Sequence, residues 1–270
     1  MSTVTKYTAR DGDAVLPLFS LRGKTCIVTG SGAGIGYAVA QAFAEAGGNV
    51  AFLYNSNPKT VERAAETAEK YGVVCKAYKL DVTSQQEVEK TVDQVVEDFN
   101  GRLDVFVANA GIPWTKGPII EANDHAHYTA VVSTDLDSVY FSAHAAGKHF
   151  QRQGCGSFVA TASMSGHIVN LPQAQAVYNA AKAGVIHMCK SLAVEWAGFA
   201  RVNTVSPGYI ATEISSFVPD ETKKIWHEKT PMRREGLANE LKGAYLYFAS
   251  DASTFTTGSD LIVDGGYCAP

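Results

Sequence analysis

The 270-residue sequence contains few cysteines, and their spacing suits no shared task. They are Cys26, Cys75, Cys155, Cys189 and Cys268, an odd number with no CxxC or CxH pair. This spacing argues against a disulfide framework and a cysteine-ligated zinc site, and favours reduced, mostly buried thiols. The clustered histidines are separated by intervals that do not suit a helical metal site, so we predict no bound metal. They are His125, His127, His144 and His149.

The sequence also lacks a strong charge imbalance and a long apolar run. Its formal net charge is −4, which gives no electrostatic reason to expect a nucleic-acid or anionic-membrane partner. The first twenty residues mix Lys6, Arg10 and Asp11 with isolated apolar residues, unlike a signal peptide or a membrane span. The final Ala269 and Pro270 match no standard targeting signal. We therefore expect a cytoplasmic protein whose partners are a small molecule and copies of itself.

Short apolar segments alternate with helical patterns from Lys24 onward. The predicted strands are 25–28, 49–54, 75–80, 103–108, 156–160, 201–205 and 261–263, and the main predicted helices are 35–46, 58–71, 84–99, 124–152, 175–197 and 239–249. Buried strands alternating with helices indicate right-handed βαβ units. We predict an N-terminal arm, 1–22, and one α/β domain, 23–270. Its fold is a Rossmann-like, doubly wound parallel sheet with helices on both faces.

A glycine-rich turn lies between the first predicted strand and the first long helix. Thr29–Gly36 has glycines at positions 30, 34 and 36, with an additional one at 32. Glycine lets a diphosphate approach the backbone, and a helix N-terminus offers free N–H groups. Glycine runs also make plain turns, but here the required strand–turn–helix context is present. The sequence therefore predicts a dinucleotide site at Gly30, Gly34, Ile35 and Gly36.

The end of the second predicted strand favours NADP(H) over NAD. An NAD-binding protein carries an acidic residue there to hold the ribose 2′-hydroxyl. Here no acidic residue occurs between the end of this strand at Tyr54 and Glu62. The neutral residues Asn55, Ser56 and Asn57 can donate hydrogen bonds to a 2′-phosphate. Lys59 and Arg63 are nearby cations, which could bind that phosphate or equally be solvated charges on a helix.

Tyr178 and Lys182 are four residues apart, which places both side chains on one face of a predicted helix. A free tyrosine has a pKa near ~10, and a neighbouring ammonium favours its phenolate. Such a pair can exchange a proton with a carbonyl oxygen as hydride reaches its carbon. The spacing is common by chance, but its position after a strand that ends near Ser163 strengthens the prediction.

Together these motifs resemble the short-chain dehydrogenase/reductase family over residues 22–268. The matching segments are Thr29–Gly36, Asp81–Val82, Asn109–Gly111, Ser163, Tyr178–Lys182 and Pro207–Ile210. The resemblance implies a catalytic set of Ser163, Tyr178 and Lys182 and a homotetramer. It also implies that Asp81 and Val82 lie near the adenine, that Asn109 stabilises the central strand, and that Pro207, Ile210 and Thr212 contact the nicotinamide end.

The sequence more closely resembles the fungal NADPH-dependent L-xylulose, sorbose and fructose reductases and mannitol 2-dehydrogenases. The segments that carry this likeness are 105–111, 166–173, 195–196 and 254–260. The implied reaction interconverts a ketose and a polyol by hydride transfer with NADP(H). Two other functions remain open: a reductase of a non-sugar carbonyl, such as a ketoacyl thioester or a steroid, and a catalytically idle NADP-binding protein.

Two positions depart from the family pattern. The usual serine-to-tyrosine spacing points to Ser165, whereas the SxxG pattern matches Ser163 to Gly166, and we assign the carbonyl-binding hydroxyl to Ser163. Asp135 stands where the family carries an asparagine that takes part in a proton relay. A carboxylate can still accept a hydrogen bond there, but its charge would alter the relay.

Polar residues before Tyr178 could bind several sugar hydroxyls. They are Ser165, His167, Asn170, Gln173 and Gln175, any of which could instead satisfy loop backbone or face solvent. We assign substrate contacts to Ser165, Asn170 and Trp114, although Trp114 could simply pack in the core. The segment 209–235 is predicted to cover the site as a lid.

Overall fold

The computed structural model describes residues 14–123, 125–213 and 218–270. The strands are β1 (Thr25–Thr29), β2 (Asn49–Tyr54), β3 (Cys75–Lys79), β4 (Val105–Ala108), β5 (Ser157–Thr161), β6 (Arg201–Pro207), β7 (Ile210–Ala211), β8 (Gly236–Leu237) and β9 (Asp260–Val263). The helices are α1 (Gly34–Glu45), α2 (Lys59–Tyr71), α3 (Gln85–Asp98), α4 (His125–Val132), α5 (Ser138–Gln153), α6 (Ala176–Glu195), α7 (Asp220–Lys229) and α8 (Lys242–Ala249).

Within the described residues, seven strands form one parallel sheet in the order β3-β2-β1-β4-β5-β6-β9. Helices α3, α5 and α6 cover one face, and α1, α2 and α8 cover the other. The predicted doubly wound parallel sheet is confirmed. The first crossovers build the sheet in one direction from β1, and the chain then returns to add β4 on its other side.

The inner strands are apolar along their whole length because both faces of the sheet are covered. Successive residues point to opposite faces, so Phe106 packs under α3 and α5 while Val105 and Val107 pack under α1 and α8. Phe106 also stacks on Phe158 of the neighbouring strand, with ring centroids 5.7 Å apart. This double coverage explains why the sequence shows apolar runs there rather than alternation.

The predicted helix over 124–152 differs from the structure in one respect. Asp124 lies outside the described residues, and a π-helical turn over Ser133–Asp137 separates α4 from α5. A π-turn inserts an extra residue per turn and rotates the side chains that follow. Here it directs Asp135 into the protein, where that side chain is fully buried.

The start of the described chain packs against the domain. Leu21 is fully buried beside Phe43 of α1, and its backbone N–H donates to the carbonyl of Ala46 at 2.9 Å. Residues 1–13 of the predicted arm lie outside the described residues, so the arm boundary at residue 22 stays a prediction. Across the described part of the chain, no helix is long and apolar enough to cross a membrane.

Candidate active site

A cavity of about 340 Å³ opens at the carboxyl ends of the central strands. It lies at the ends of the neighbouring strands β1 and β4. The connections that follow these two strands extend the sheet in opposite directions, and doubly wound sheets bind their ligands at such a point. Most residues predicted for the site line this cavity: Gly30, Gly34, Ile35, Gly36, Asn109, Ser163, Ser165, Asn170, Tyr178, Lys182, Pro207, Ile210 and Thr212. The fold thus brings together segments far apart in the sequence.

The glycine loop has the geometry that a diphosphate needs. Gly30 and Gly34 have φ values of 64° and 53°, in the left-handed region that favours glycine. A Cβ at Gly36 would lie 2.4 Å from the Gly30 carbonyl oxygen and 2.5 Å from Asn109 Nδ2, so the turn is packed without space for a side chain. Among the described residues, no side chain caps the N-terminus of α1, and the first N–H groups of a helix can bind an anion.

Beside this loop, the start of α2 brings a cation to the end of β2. The Arg63 guanidinium donates to the carbonyl of Gly32 and lies 4.9 Å from the centre of the Tyr37 ring. Asn57 Nδ2 donates to the same carbonyl at 3.0 Å. Asn55 and Ser56 are exposed at this corner and lie outside the cavity lining. The structure therefore distinguishes Arg63, folded against the glycine loop, from the exposed Lys59.

Asn109 links the ends of three strands. Its Nδ2 donates to the carbonyl of Thr29 at 3.0 Å, and its Oδ1 accepts a hydrogen bond from Thr161 Oγ1 at 3.1 Å. The Thr29 hydroxyl accepts from the backbone N–H groups of Asn109 and Ala110. These bonds hold the turns after β1, β4 and β5 in fixed positions.

Ser163, Tyr178 and Lys182 meet on the floor of the cavity. Ser163 follows β5, and its hydroxyl oxygen accepts a hydrogen bond from the N–H of Ser165 at 3.1 Å. Lys182 Nζ lies 5.5 Å from the centre of the Tyr178 ring and donates to the carbonyl of Thr161 at 3.2 Å. The one-turn spacing on α6 thus places both side chains on the face that meets Ser163.

The pKa of Tyr178 lies above its usual value, mainly because the side chain is buried. The charge of Lys182 and a hydrogen bond with Ser163 lower this pKa, whereas the charge of Asp135 raises it. The sequence predicts the effect of Lys182, but burial outweighs it here. Burial has the opposite effect on Lys182 and lowers its pKa. The negative charge of Asp135 and the neighbouring Tyr178 more than offset this effect, so the pKa of Lys182 is raised and the side chain remains an ammonium. Asp135 Oδ1 lies 2.9 Å from Lys182 Nζ.

A polar network lines the far end of the cavity. Gln175 Nε2 donates to Ser165 Oγ at 3.2 Å and to Asn170 Oδ1 at 3.0 Å. Asn170 Nδ2 donates in turn to the hydroxyl of Tyr209, which donates to Gln173 Oε1. The predicted substrate residues Ser165 and Asn170 therefore belong to one connected set.

An aromatic stack borders this network. Tyr209 follows β6 and stacks on Trp226 of α7, with ring centroids 3.9 Å apart and planes 4° from parallel. Sequence reasoning singled out neither residue. Both lie in the segment 209–235 that was predicted to cover the site. Tyr209 could have been found individually, since it lies between Pro207 and Ile210, whereas no local motif distinguishes Trp226 within that segment. Residues 214–217 of the predicted lid lie outside the described residues.

Besides Asn55 and Ser56, three further residues predicted for the site lie outside the cavity lining. Asp81 accepts hydrogen bonds from the backbone and side chain of Thr83, and Val82 packs against the core under α3. Trp114 is 7% exposed, packs with Val131 and Val177, and donates to the carbonyl of Gly117 at 2.7 Å. Trp114 therefore supports the Tyr178 side of the site from behind.

Comparison with known proteins shows close relatives over nearly the whole chain. The chain is 60% identical to an L-xylulose reductase of Hypocrea jecorina, covering 96% of this chain and 94% of that protein. It is 57% identical to a probable NADP-dependent mannitol dehydrogenase of Yarrowia lipolytica, covering 95% and 91% respectively. The crystal structure of an NADPH-dependent 3-quinuclidinone reductase from Rhodotorula rubra superposes with a TM-score of 0.93 at 44% identity, covering 98% of both chains.

A family model described as enoyl-(acyl carrier protein) reductase matches residues 30–268. The match spans the loop glycines from Gly30 onward and the cluster of Ser163, Tyr178 and Lys182. The chain belongs to the short-chain dehydrogenase/reductase family.

Proposed function

We propose that this protein is an NADP(H)-dependent reductase that interconverts a ketose and a polyol, of the L-xylulose, L-sorbose or D-fructose type. The observation that carries the proposal is one cavity lined by the glycine loop, by Ser163, Tyr178 and Lys182, and by a polar network. The names of the L-xylulose reductase and the mannitol dehydrogenase support the same reaction class.

The residues present fit a nicotinamide dinucleotide. The uncapped N-terminus of α1 and the crowded turn at Gly36 suit its diphosphate, and the cavity extends from this turn to Lys182. Thr212 lies against Gly34, since a Cβ placed there would be 3.3 Å from Thr212 Cγ2. Pro207, Ile210 and Thr212 would therefore flank the nicotinamide end. Bound NADPH supplies the hydride.

Each member of the catalytic set has a distinct role in this proposal. Ser163 donates its hydroxyl proton to the ketose carbonyl oxygen, which fixes that oxygen beside Tyr178. Tyr178 then delivers a proton to the oxygen as negative charge develops on it. Lys182 orients the nicotinamide ribose, and its positive charge stabilises the phenolate that remains on Tyr178.

Arg63 is expected to favour NADPH over NADH. Its guanidinium lies at the glycine loop beside Asn57, which donates to the same Gly32 carbonyl, at the end of β2 where an adenosine 2′-phosphate would be bound. A hydrogen bond to a charged group contributes about 1.5–3 kcal/mol, so Arg63→Gln should raise the NADPH KM by roughly tenfold or more. The NADH KM should change little, because NADH has no 2′-phosphate. Steady-state kinetics with both cofactors measure this difference.

Lys59→Gln provides the matched control for this prediction. Lys59 is a neighbouring cation on the same helix but is exposed to solvent. Its loss should leave the NADPH KM nearly unchanged. Equal changes in the NADPH and NADH KM values of Arg63→Gln would contradict the assigned role.

The polar end of the cavity suits a polyhydroxylated substrate. A site that hydrogen-bonds hydroxyl groups discriminates strongly against analogues that lack them, because its buried partners are then unpaired. Asn170 is 1% exposed and depends on Gln175 and Tyr209 for its hydrogen bonds. We propose that Ser165, Asn170 and Tyr209 contact ketose hydroxyls, with Trp114 supporting the wall behind Tyr178.

Removal of the Tyr209 hydroxyl is expected to weaken ketose binding. Tyr209→Phe keeps the stack on Trp226 but breaks the link between Asn170 and Gln173. An unsatisfied buried polar group costs about 1–3 kcal/mol, so the ketose KM should rise by roughly tenfold. The NADPH dissociation constant should be unchanged. Tyr140→Phe, on an exposed tyrosine of α5, is the control, and a Tyr209→Phe KM equal to that of the control would refute this role.

A substrate panel tests the proposed reaction directly. NADPH oxidation is followed with L-xylulose, L-sorbose, D-fructose, a ketoacyl thioester, a steroid ketone and 3-quinuclidinone, and is repeated with NADH. We expect turnover with at least one ketose and a preference for NADPH. Turnover confined to the other ketones would instead support a non-sugar carbonyl reductase, which the structural similarity to the quinuclidinone reductase favours as the second candidate. NADPH binding without any turnover would indicate an idle binding protein.

We also propose that the protein is a cytoplasmic homotetramer. The edge strand β9 exposes Leu261 and Ile262, and Val194 and Phe255 are exposed nearby at 80% and 105%. An uncovered sheet edge with apolar side chains favours pairing with another chain. Light scattering of the purified protein tests the tetramer, and a monomeric mass would exclude it.

A further inference from the structure

Asp135 and Lys182 form a buried ion pair under the site. The atoms Oδ1 and Nζ are 2.9 Å apart, and the two side chains are 0% and 4% exposed. Asp135 Oδ2 also accepts the backbone N–H of Ile112 at 3.0 Å, and Lys182 Nζ donates to the carbonyl of Thr161. The backbone just after β4 and at the end of β5 thus holds both charged side chains in place.

The surrounding backbone is shaped to admit this pair. The π-helical turn between α4 and α5 directs Asp135 inward. A Cβ at Gly111 would lie 2.6 Å from Asp135 Oδ1 and 3.3 Å from Lys182 Nζ, so only a residue without a side chain fits opposite them. Burying two charges requires a large desolvation free energy, and such pairs stabilise folds weakly. The arrangement therefore points to a role in the chemistry of the site.

The charge of Asp135 acts on Tyr178 through Lys182. An ammonium without a counter-ion would strongly favour the phenolate of its neighbour. The carboxylate neutralises much of that influence, and its charge raises the pKa of Tyr178, after the larger effects of burial and of Lys182. A neutral residue at position 135 would leave Lys182 with the Tyr178 phenolate as its nearest counter-ion.

Asp135 is the carboxylate that the structure pairs with Lys182, and the other titratable groups near this cluster are as follows. Among the described residues that line the cavity, the carboxylates are Asp135 and Glu213, the phenols are Tyr178 and Tyr209, and the cation is Lys182. Tyr245 of α8 also faces the cluster and hydrogen-bonds the Thr161 hydroxyl at 2.7 Å. Burial raises the pKa of Tyr245 and that of Tyr209, so both remain neutral hydroxyls.

We propose that Asp135 is a positioning residue that holds Lys182 in place and keeps Tyr178 in its protonated, proton-donating form. The role rests on the proposed function, because it concerns the proton that Tyr178 gives to the substrate. With Asp135 present, Tyr178 stays protonated to higher pH than it would beside Lys182 alone.

The test compares Asp135→Asn with the wild-type protein across the neutral to alkaline range. Asparagine keeps an oxygen for the Ile112 N–H but removes the charge. Carbonyl reduction needs protonated Tyr178 and is lost as the pH rises through its pKa. A lower pKa in the variant should therefore move the fall in kcat/KM to lower pH by about one unit, a tenfold change in the protonation equilibrium. Asp137→Asn, in the same π-turn but outside the cavity lining, should leave the profile unchanged.

A second readout does not depend on turnover. The phenolate absorbance of Tyr178 is obtained by subtracting the spectrum of Tyr178→Phe from that of wild type. The same subtraction is made in the Asp135→Asn background. We expect this absorbance to appear at lower pH in the variant even if no ketose proves to be a substrate, which separates this inference from the proposed reaction. Coincident titrations, or a shift to higher pH, would overturn it.

Asp135→Ser gives the same comparison with a smaller uncharged side chain. It should shift the titration in the same direction as Asp135→Asn. Circular dichroism and thermal unfolding establish whether each variant is folded. If neither variant folds, Asp135 is required for the fold itself and the positioning role is rejected.

Discussion

Replacement of Tyr178 with phenylalanine should abolish ketose reduction and leave NADPH binding nearly intact. In the proposed mechanism the variant lacks the hydroxyl that gives a proton to the carbonyl oxygen, and general acid catalysis contributes about 10²–10⁴-fold to such reactions. The phenylalanine ring can still pack beside Trp114 and Val177, so the fold should be retained. The measurements are kcat/KM for the ketose and the NADPH dissociation constant from fluorescence titration.

Tyr128→Phe is the matched control for this change. Tyr128 is an exposed tyrosine of α4 that lies outside the cavity lining, and loss of its hydroxyl should leave both quantities unchanged. If Tyr178→Phe kept a kcat/KM within tenfold of wild type, the assignment of Tyr178 as the proton donor would be wrong. A loss of NADPH binding would instead show that the tyrosine mainly supports the cofactor site.

Alanine at position 36 should disrupt the dinucleotide site. Its Cβ would come within 2.4 Å of the Gly30 carbonyl oxygen and 2.5 Å of Asn109 Nδ2, distances that force the turn or Asn109 to move. Overpacking of this kind costs about 1–3 kcal/mol, and the displaced N–H groups would no longer face a diphosphate. We expect NADPH affinity to fall by at least about tenfold, or 1.4 kcal/mol, in a binding titration.

Gly243→Ala is the control for the glycine prediction. Gly243 lies in α8 with no atom within 4 Å of its added Cβ. Alanine there should raise the free energy of unfolding by about 0.4–1 kcal/mol without changing NADPH binding, because it restricts the unfolded chain more than glycine does. NADPH affinity in Gly36→Ala equal to that in Gly243→Ala would contradict the proposed diphosphate site.

The strands and the cluster of Ser163, Tyr178 and Lys182 were predictable because their signals are local. Apolar runs such as 49–54 allow little except a buried strand, and the glycine turn lies directly between such a strand and a helix. The spacing of Tyr178 and Lys182 fixes their common helix face without tertiary information. Ser163 required a choice between two serines, and the structure places both in the cavity lining.

The remaining features depend on tertiary packing. The π-turn at Ser133–Asp137 lies within the predicted helix 124–152, and no local pattern distinguishes a π-turn from an α-helical turn there. The stack of Tyr209 on Trp226 joins β6 to α7, and the two-residue pairing of β7 with β8 is too short to produce a periodic signal. For the same reason the sequence identifies Asp135 only as a departure from the family pattern. That Asp135 pairs with Lys182 is known only from the structure.

The reaction itself is tested most directly by isotope transfer. NADPH deuterated at both C4 positions of the nicotinamide is incubated with the ketose that turns over, and the polyol product is examined by mass spectrometry and NMR. We predict one deuterium per polyol molecule, bound to the former carbonyl carbon. A polyol without deuterium, or with deuterium at another carbon, would contradict direct hydride transfer in this site.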